Sequence, residues 1–283
     1  MIKLKTINLV IKKVFPGVHQ WLKNNYQKTY FYRRNKEIKD RLNFEAKVNS
    51  NAEQSIILND IFGSNLIVHN GCFKGLRYID QSSGSALLPK LLGSYEEPIR
   101  EWIKDVIEVK KYSKILNIGC AEGYYACGFA MTMPSTIIIA YDIDAEARKQ
   151  CERMMRLNDL DNIQINEECT HLKLNNECQP GVLIFCDIEG FECELLDPIR
   201  APNMAYVDLI VESHDCFVPG ITDKLISRFY MTHSIRIVVD YPYRLNLYKT
   251  PFKPNDYQYN YIINEKRPNY MKYIYMESIN GRI

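Results

Sequence analysis

Residues 115–125 read Ile115-Leu116-Asn117-Ile118-Gly119-Cys120-Ala121-Glu122-Gly123-Tyr124-Tyr125. A short apolar run ends in a polar residue, and two glycines spaced G-x-x-x-G lead into a helix-compatible segment. This is how a strand hands its chain to a helix around a nucleotide-like ligand. Gly119 allows a tight turn, Gly123 lets the helix begin close to a bound group, and the free N–H groups of the first helical turn point at that group. Cys120, Ala121 and Glu122 form the turn between the glycines, and Tyr124 opens the helix. The G-x-G-x-x-G spacing of hydride-transfer dinucleotide sites is missing. A turn with a purely structural purpose is the competing reading of this stretch.

The next strand supplies the second half of the pattern. Thr136-Ile137-Ile138-Ile139-Ala140-Tyr141 is a β-branched run that ends at Asp142-Ile143-Asp144. A carboxylate at this tip, about 20 residues beyond the glycine turn, is placed to accept both hydroxyls of a ribose. Asp142, with Ile143 beside it, takes that role, and Asp144 is placed to cap a helix from Ala145 to about Leu157. The spacing resembles that of S-adenosylmethionine (SAM) methyltransferases.

The rest of the chain is consistent with a doubly covered sheet. Strands are expected near 114–118, 136–141, 161–167, 182–187 and 206–212, with helices in most intervals. That alternation calls for an α/β fold with a mostly parallel sheet and helices on both faces. Two late strands, 235–239 and 271–276, flank a Pro- and Tyr-rich excursion. Residues 96–112 read as a lead-in helix, with Ile99, Trp102, Ile103, Val106 and Ile107 on one face. Glycine and serine crowd residues 64–95, marking loops and short extended pieces. The expected organisation is a basic helical extension over 1–60, a lid and lead-in region over 61–112, and the core over 113–283.

Of 283 residues, 46% are hydrophobic and 25% charged, ordinary for a globular protein with a sizeable core. Neither a membrane-spanning run nor a signal-peptide pattern is visible, and the nine cysteines lack C-x-x-C spacing. They read as reduced core residues of a cytoplasmic protein. Residues 1–41 hold eleven Lys/Arg against Glu37 and Asp40, a net of +9, which leaves −7 on the remainder of a chain whose total is +2. This basic arm has near-helical apolar spacing. It could rest on the inner membrane surface or contact a glycosyltransferase; a packing helix with a solvated face is the plainer reading. The acidic body speaks against nucleic acid as a partner.

Three strand tips carry polar groups. Glu168-Cys169-Thr170 could meet an adenine ring through backbone or Thr170, and an ordinary loop serves equally. Asp187-Ile188-Glu189 and Glu212-Ser213-His214-Asp215 end adjacent strands. Clustered carboxylates raise one another's pKa, a cost usually tolerated for a reason. Methyl transfer to a hydroxyl needs alignment of the acceptor and a general base. His214 is the first choice for the base, with Glu189 and Asp187 behind it. A divalent ion such as magnesium on Asp187 and Glu212 is compatible with these oxygen donors but not demanded by the spacing.

Together these motifs resemble the FkbM-type SAM-dependent methyltransferases, especially those associated with bacterial surface-polysaccharide synthesis. The matching pieces are residues 75–96, NIGCAEGYY (117–125), YDID (141–144), CDIEGFECELLDP (186–198), IVESHD (210–215) and NEKRP (264–268). The resemblance implies a seven-stranded Rossmann-like sheet whose last strand is antiparallel and inserted. It implies O-methylation of a sugar hydroxyl on a glycan or on a nucleotide- or lipid-linked precursor. By analogy, the segment from Lys90 through Tyr95 to Glu96 closes over the methionine end of SAM, Arg267 faces the acceptor beside Glu212, and Asp187 borders the cofactor. Asn117 stands where many methyltransferases carry an acid; it can still hydrogen-bond toward the SAM amino group without supplying charge. Nine tyrosines between Tyr241 and Tyr275 suit sugar rings, or reflect a Tyr-rich chain. Other readings keep SAM with a small natural product or protein side chain as acceptor, or keep the fold as a non-catalytic binding module. Self-association is compatible with all of these.

Overall fold

The computed structural model describes residues 52–240, 253–267 and 269–280. Residues 1–51 of the expected helical extension, which include the basic arm, and Tyr241, Tyr243 and Tyr248 lie outside the described residues. Residues 48–283 form one compact unit.

The elements follow the alternation expected. Helix α1 (Ala52–Ile57), α2 (Leu87–Leu92) and α3 (Arg100–Glu108) precede strand β1 (Lys114–Ile118). Then come α4 (Tyr124–Thr132), β2 (Ile137–Tyr141), α5 (Ala145–Leu157), β3 (Ile163–Asn166), α6 (His171–Glu177), β4 (Val182–Cys186), α7 (Glu192–Leu195), β5 (Asp208–Ser213), α8 (Ile221–Phe229) and β6 (His233–Asp240). Helix α9 (Asp256–Ile262) leads to β7 (Met271–Ser278). The lead-in helix is shorter than its periodicity suggests. A 3-10 turn at Glu97–Ile99, with Pro98 in it, precedes α3, and the chain leaves α3 at Glu108 before Lys110 and Lys111.

The sheet runs β3-β2-β1-β4-β5-β7-β6. Strands β1 to β5 pair in parallel, and β7 enters antiparallel between β5 and β6. This is the Rossmann-like order with an inserted antiparallel strand. Both faces are covered, so the central strands are apolar almost throughout instead of alternating. One face carries Ile115, Ile138, Phe185, Ile210 and Tyr273 against α4, α5 and the segment 66–107. The other carries Leu116, Ile139, Ile184, Leu209 and Ile274 against α6, α8 and the loops after β4.

Register decides which tips share a face. Asn117 pairs with Phe185, Phe185 with Ile210, and Glu212 with Tyr273. Because side chains alternate along a strand, Asn117, Glu212 and Tyr273 all project to the face covered by 66–107. That segment forms a wall on the same core, and one aromatic ring anchors it. Phe73 meets Tyr124, Tyr125 and Phe129 edge-on at 5.3, 5.7 and 5.4 Å. A Cβ on Gly128 would lie 2.5 Å from the Phe73 ring, which explains a glycine inside α4.

Candidate active site

The glycine turn and the acid of the second strand meet directly. Asp142 Oδ2 accepts from the Ala121 N–H at 2.9 Å, and its Oδ1 accepts from the Asp144 N–H at 2.8 Å. The turn is fastened to β2 a second time, since the Gly119 and Cys120 N–H groups both donate to the Tyr141 carbonyl. Gly119 (φ +84°), Ala121 (φ +48°) and Gly123 (φ +100°) all occupy the left-handed region, which costs a non-glycine residue about 1 kcal/mol or more. A Cβ on Gly119 would sit 1.6 Å from the Asp187 carbonyl oxygen, and one on Gly123 would sit 2.8 Å from Cys151 Sγ. Both glycines therefore satisfy protein contacts, of the turn with β4 and with α5, as well as shaping the loop. Asp144 caps α5 as expected, accepting from Glu146 N–H at 3.0 Å. Ile143 is exposed between them. Thr170 is exposed and caps α6, accepting from Lys173 N–H at 3.3 Å.

Asn117, at the penultimate position of β1, is buried, and its Oδ1 accepts no hydrogen bond. Asp187 Oδ1, just past the end of β4, is likewise buried as an atom and without a hydrogen-bond partner. Buried acceptors are nearly always satisfied, so two orphans beside one loop mark a place for a donor from outside the chain.

Lys90 and Glu122, read from the sequence as cofactor contacts, have a different use in the structure. Lys90 Nζ donates to Glu122 Oε1 at 2.5 Å and to Ser85 Oγ at 2.6 Å. Glu122 also accepts from Tyr78 Oη at 2.6 Å, Ser82 Oγ at 2.9 Å and Ser83 N–H at 3.0 Å. The two side chains are 3% and 0% exposed, so neither reaches a ligand without breaking this network. They fasten the wall to the glycine turn. Burial pushes the Glu122 carboxyl up, but Lys90 and the surrounding donors outweigh it and hold it below its ordinary value.

The wall continues into the acid-rich part of the site. Tyr95 lies edge-on to Tyr124 at 5.5 Å, with Lys90 and Arg267 over its ring. Glu96 adopts a left-handed φ of +52° that turns its side chain inward, where Oε2 accepts from Tyr125 Oη at 2.5 Å. Burial and the nearby Glu212 push its pKa up to about 7 against the pull of Arg267.

Arg267 is mostly buried among acids. Nη1 donates to Glu212 Oε1 at 2.7 Å, Nη2 to Glu265 Oε2 at 2.8 Å and to Tyr273 Oη at 2.7 Å, and Glu96 Oε1 lies 3.3 Å away. Asp240 is at 4.0 Å. The planar guanidinium fork suits several carboxylates at once. Tyr273 and Tyr275 are buried core residues of β7, which removes them from any sugar platform, whereas Tyr257 and Tyr270 are exposed.

At the tips of β4 and β5 the acids surround His214. Its ring is 2% exposed and stacked parallel to Phe217 at 5.5 Å. Nδ1 lies 2.7 Å from Glu192 Oε1, an oxygen that also accepts from Gly190 N–H at 3.0 Å. Nε2 lies 3.6 Å from Asp187 Oδ1 and 3.4 Å from Glu189 Oε2. Burial alone lowers the imidazole pKa, yet Glu192 and Glu189 more than reverse this and hold it well above its ordinary value. Burial, and then the neighbouring Glu212, push Asp187 well up; burial also raises Glu189. Glu192 escaped the sequence reading because it opens a short helix, where an acid is ordinary. The available signal was its place in the acidic 186–198 segment.

Among the described residues, no helix is long and apolar enough to cross a membrane. The nine cysteines are free thiols. No protein-family model and no curated protein matches the chain. Solved structures do. One is an rRNA methylase from Streptococcus thermophilus, with 11% identity over 65% of this chain and 98% of that one, and a TM-score of 0.42. Another is the precorrin-6y C5,15-methyltransferase of Geobacter metallireducens, at 10% identity, 65% and 93% coverage and 0.42. A third is a Pyrococcus abyssi tRNA (uracil-54, C5)-methyltransferase in complex with S-adenosyl-L-homocysteine, at 12%, 72% and 43%, and 0.42. The fold assignment itself rests on the strand order.

Proposed function

We propose that this protein is a SAM-dependent O-methyltransferase of the FkbM type, acting on a sugar hydroxyl of a bacterial surface polysaccharide or its precursor. The observation that carries the reading is the junction of the glycine turn with Asp142, beside the buried unpartnered oxygen of Asn117. The donor set fits the cofactor. The amides of the first turn of α4 suit a carboxylate, while those of Gly119, Cys120 and Ala121 are engaged in fastening the turn to β2 and Asp142. Asn117 Oδ1 is an acceptor for an ammonium group. Asp142 retains acceptor capacity for a vicinal diol, since an ionised carboxylate offers about four lone-pair sites.

When bound, the cofactor supplies a methyl group on a sulfonium, already activated toward displacement. The chain's own task is then to position an acceptor oxygen and take its proton. His214, Asp187 and Glu189 lie together at the tips of β4 and β5, where an acceptor beside the cofactor would be reached. A raised pKa makes each a stronger base in its deprotonated form, which for His214 requires loss of a proton that Glu192 and Glu189 help to hold. Support for a saccharide comes from the resemblance of residues 75–96 and 186–198, the most specific of the matching segments.

Incubation of the protein and SAM with surface-glycan fragments should release S-adenosylhomocysteine. SAM binding without turnover on any glycan, but with turnover on small hydroxylated natural products, would replace the saccharide. No SAM binding would end the methyltransferase reading.

A further inference from the structure

The tips of β4 and β5 hold three side chains whose chemistry differs from that of a simple accumulation of acids. Asp187, Glu212 and His214 each offer one ligand atom, and these atoms lie within 4.8 Å of one another. Two are oxygens and one is an imidazole nitrogen, the mixed set that divalent first-row cations accept.

Two further observations point to a missing ligand. Asp187 Oδ1 is fully buried, accepts no hydrogen bond and faces His214 Nε2 from 3.6 Å. That separation is too long for a hydrogen bond, whose usual range is about 2.7–3.2 Å. It approaches the spacing of neighbouring ligands on a cation; bonds of about 2.1 Å put adjacent octahedral ligands about 3 Å apart and opposite ones about 4.2 Å apart. Contraction by a few tenths of an ångström at each side chain closes the set. The second observation is the fixing of the ring by Glu192, which is wholly buried and held by the Gly190 N–H. With Nδ1 donating to Glu192 at 2.7 Å, loss of the Nε2 proton on cation binding leaves the Nε2 lone pair on the side of Asp187. A carboxylate behind the non-ligating nitrogen is the usual outer support of a metal-bound histidine. Charge agrees as well. The direct partners of Arg267 include Glu212 and Glu265, and it makes no ion pair with Asp187 or Glu189.

We infer that Asp187, Glu212 and His214 form a binding site for one divalent cation, with Glu192 as its outer support. The inference deepens the proposed function, because the site adjoins the place given to the acceptor, but cation binding itself needs no SAM. It also changes the part played by His214, from proton acceptor to ligand. The proton of the acceptor hydroxyl then falls to Glu189, whose carboxylate is the more exposed of the acids around the ring.

The test uses full-length protein stripped with chelator and titrated with Mn2+, free Mn2+ being read by its electron paramagnetic resonance signal. One equivalent should bind, and Mg2+ should compete. Asp187→Asn and His214→Gln should each weaken binding at least tenfold, while Asp159→Asn, on the exposed turn after α5, should leave it unchanged. Circular dichroism of each variant separates misfolding from ligand loss, and the wild-type titration stands even if a variant fails to fold. No saturable Mn2+ binding by the wild type up to millimolar concentration overturns the inference. So does binding unaffected by both cluster substitutions. Calorimetric SAM binding by the stripped protein is read in parallel. SAM binding without cation binding rejects the cation site alone, and cation binding without SAM binding rejects the cofactor reading alone.

Discussion

Replacing Lys90 with Met tests the fastening between wall and glycine turn. The substitution keeps the length and apolar stem of the side chain but removes the charge opposite Glu122. Glu122 would then be an unpaired carboxylate with 0% exposure. Removing one partner of a buried ion pair costs about 3–5 kcal/mol. The donors left in place, Tyr78 Oη, Ser82 Oγ and Ser83 N–H, hold the cost near the lower end, about 3 kcal/mol. The sign with pH follows from the Glu122 carboxyl. In the wild type it is depressed, so its stabilisation is present above the unfolded value of about 4.3 and is lost as pH falls through the folded value. Without Lys90, burial and the loss of the charge raise it instead. The variant's stability then declines as pH rises above about 4.3. The gap between the two proteins should widen from about pH 5 to about pH 8. Urea unfolding followed by tryptophan fluorescence and circular dichroism at both pH values measures it. Lys90→Met/Glu122→Gln should regain most of the loss, because the paired removal leaves no buried charge. A loss below about 1 kcal/mol with no pH dependence would show that the pair does not fasten the turn.

Other expectations can be checked in the same way. Gly119→Ala forces a Cβ against the Asp187 carbonyl at φ +84°, and should cost about 2 kcal/mol or more in urea unfolding; a loss under 0.5 kcal/mol, about the scatter of neutral surface changes, would mean the turn yields freely. Arg267→Met should destabilise by about 3 kcal/mol and more so at alkaline pH, because Glu96, Glu212 and Glu265 lose their shared cation. Equal loss at acid and alkaline pH would show packing, not charge, at work. Glu96→Gln removes a carboxyl whose folded pKa is about 7. A raised folded value means wild-type stability is full below about pH 4.3 and declines up to about pH 7, so the variant should gain on the wild type by about 3 kcal/mol over that interval. A flat difference between the two urea midpoints across the interval would rule this out.

Much of the site was readable because it is local. The glycine turn, Asp142 and the Asp144 cap depend on residues a few positions apart, and backbone sterics tie each to its sequence. The same holds for the acids at the ends of β4 and β5, since strand tips follow from hydrophobic runs. What escaped depends on long-range topology. Lys90 meets Glu122 across 32 residues, and Arg267 reaches Glu96 across 171, so nothing local signals that these charges cancel. Glu192 looks like an ordinary first-turn acid until the fold brings it behind His214. Tyr273 and Tyr275 looked like part of an aromatic surface, but insertion of β7 between β5 and β6 buries them.

Isothermal titration of the full chain with SAM bears most directly on the glycine turn and Asp142 as one adenosyl site. Wild-type protein should bind one equivalent, and Asp142→Ala should bind at least about 30-fold more weakly, matching loss of charge-assisted hydrogen bonds worth about 2 kcal/mol. A wild type that takes up no SAM at millimolar concentration, or an Asp142→Ala protein that binds it equally well, would contradict that assignment.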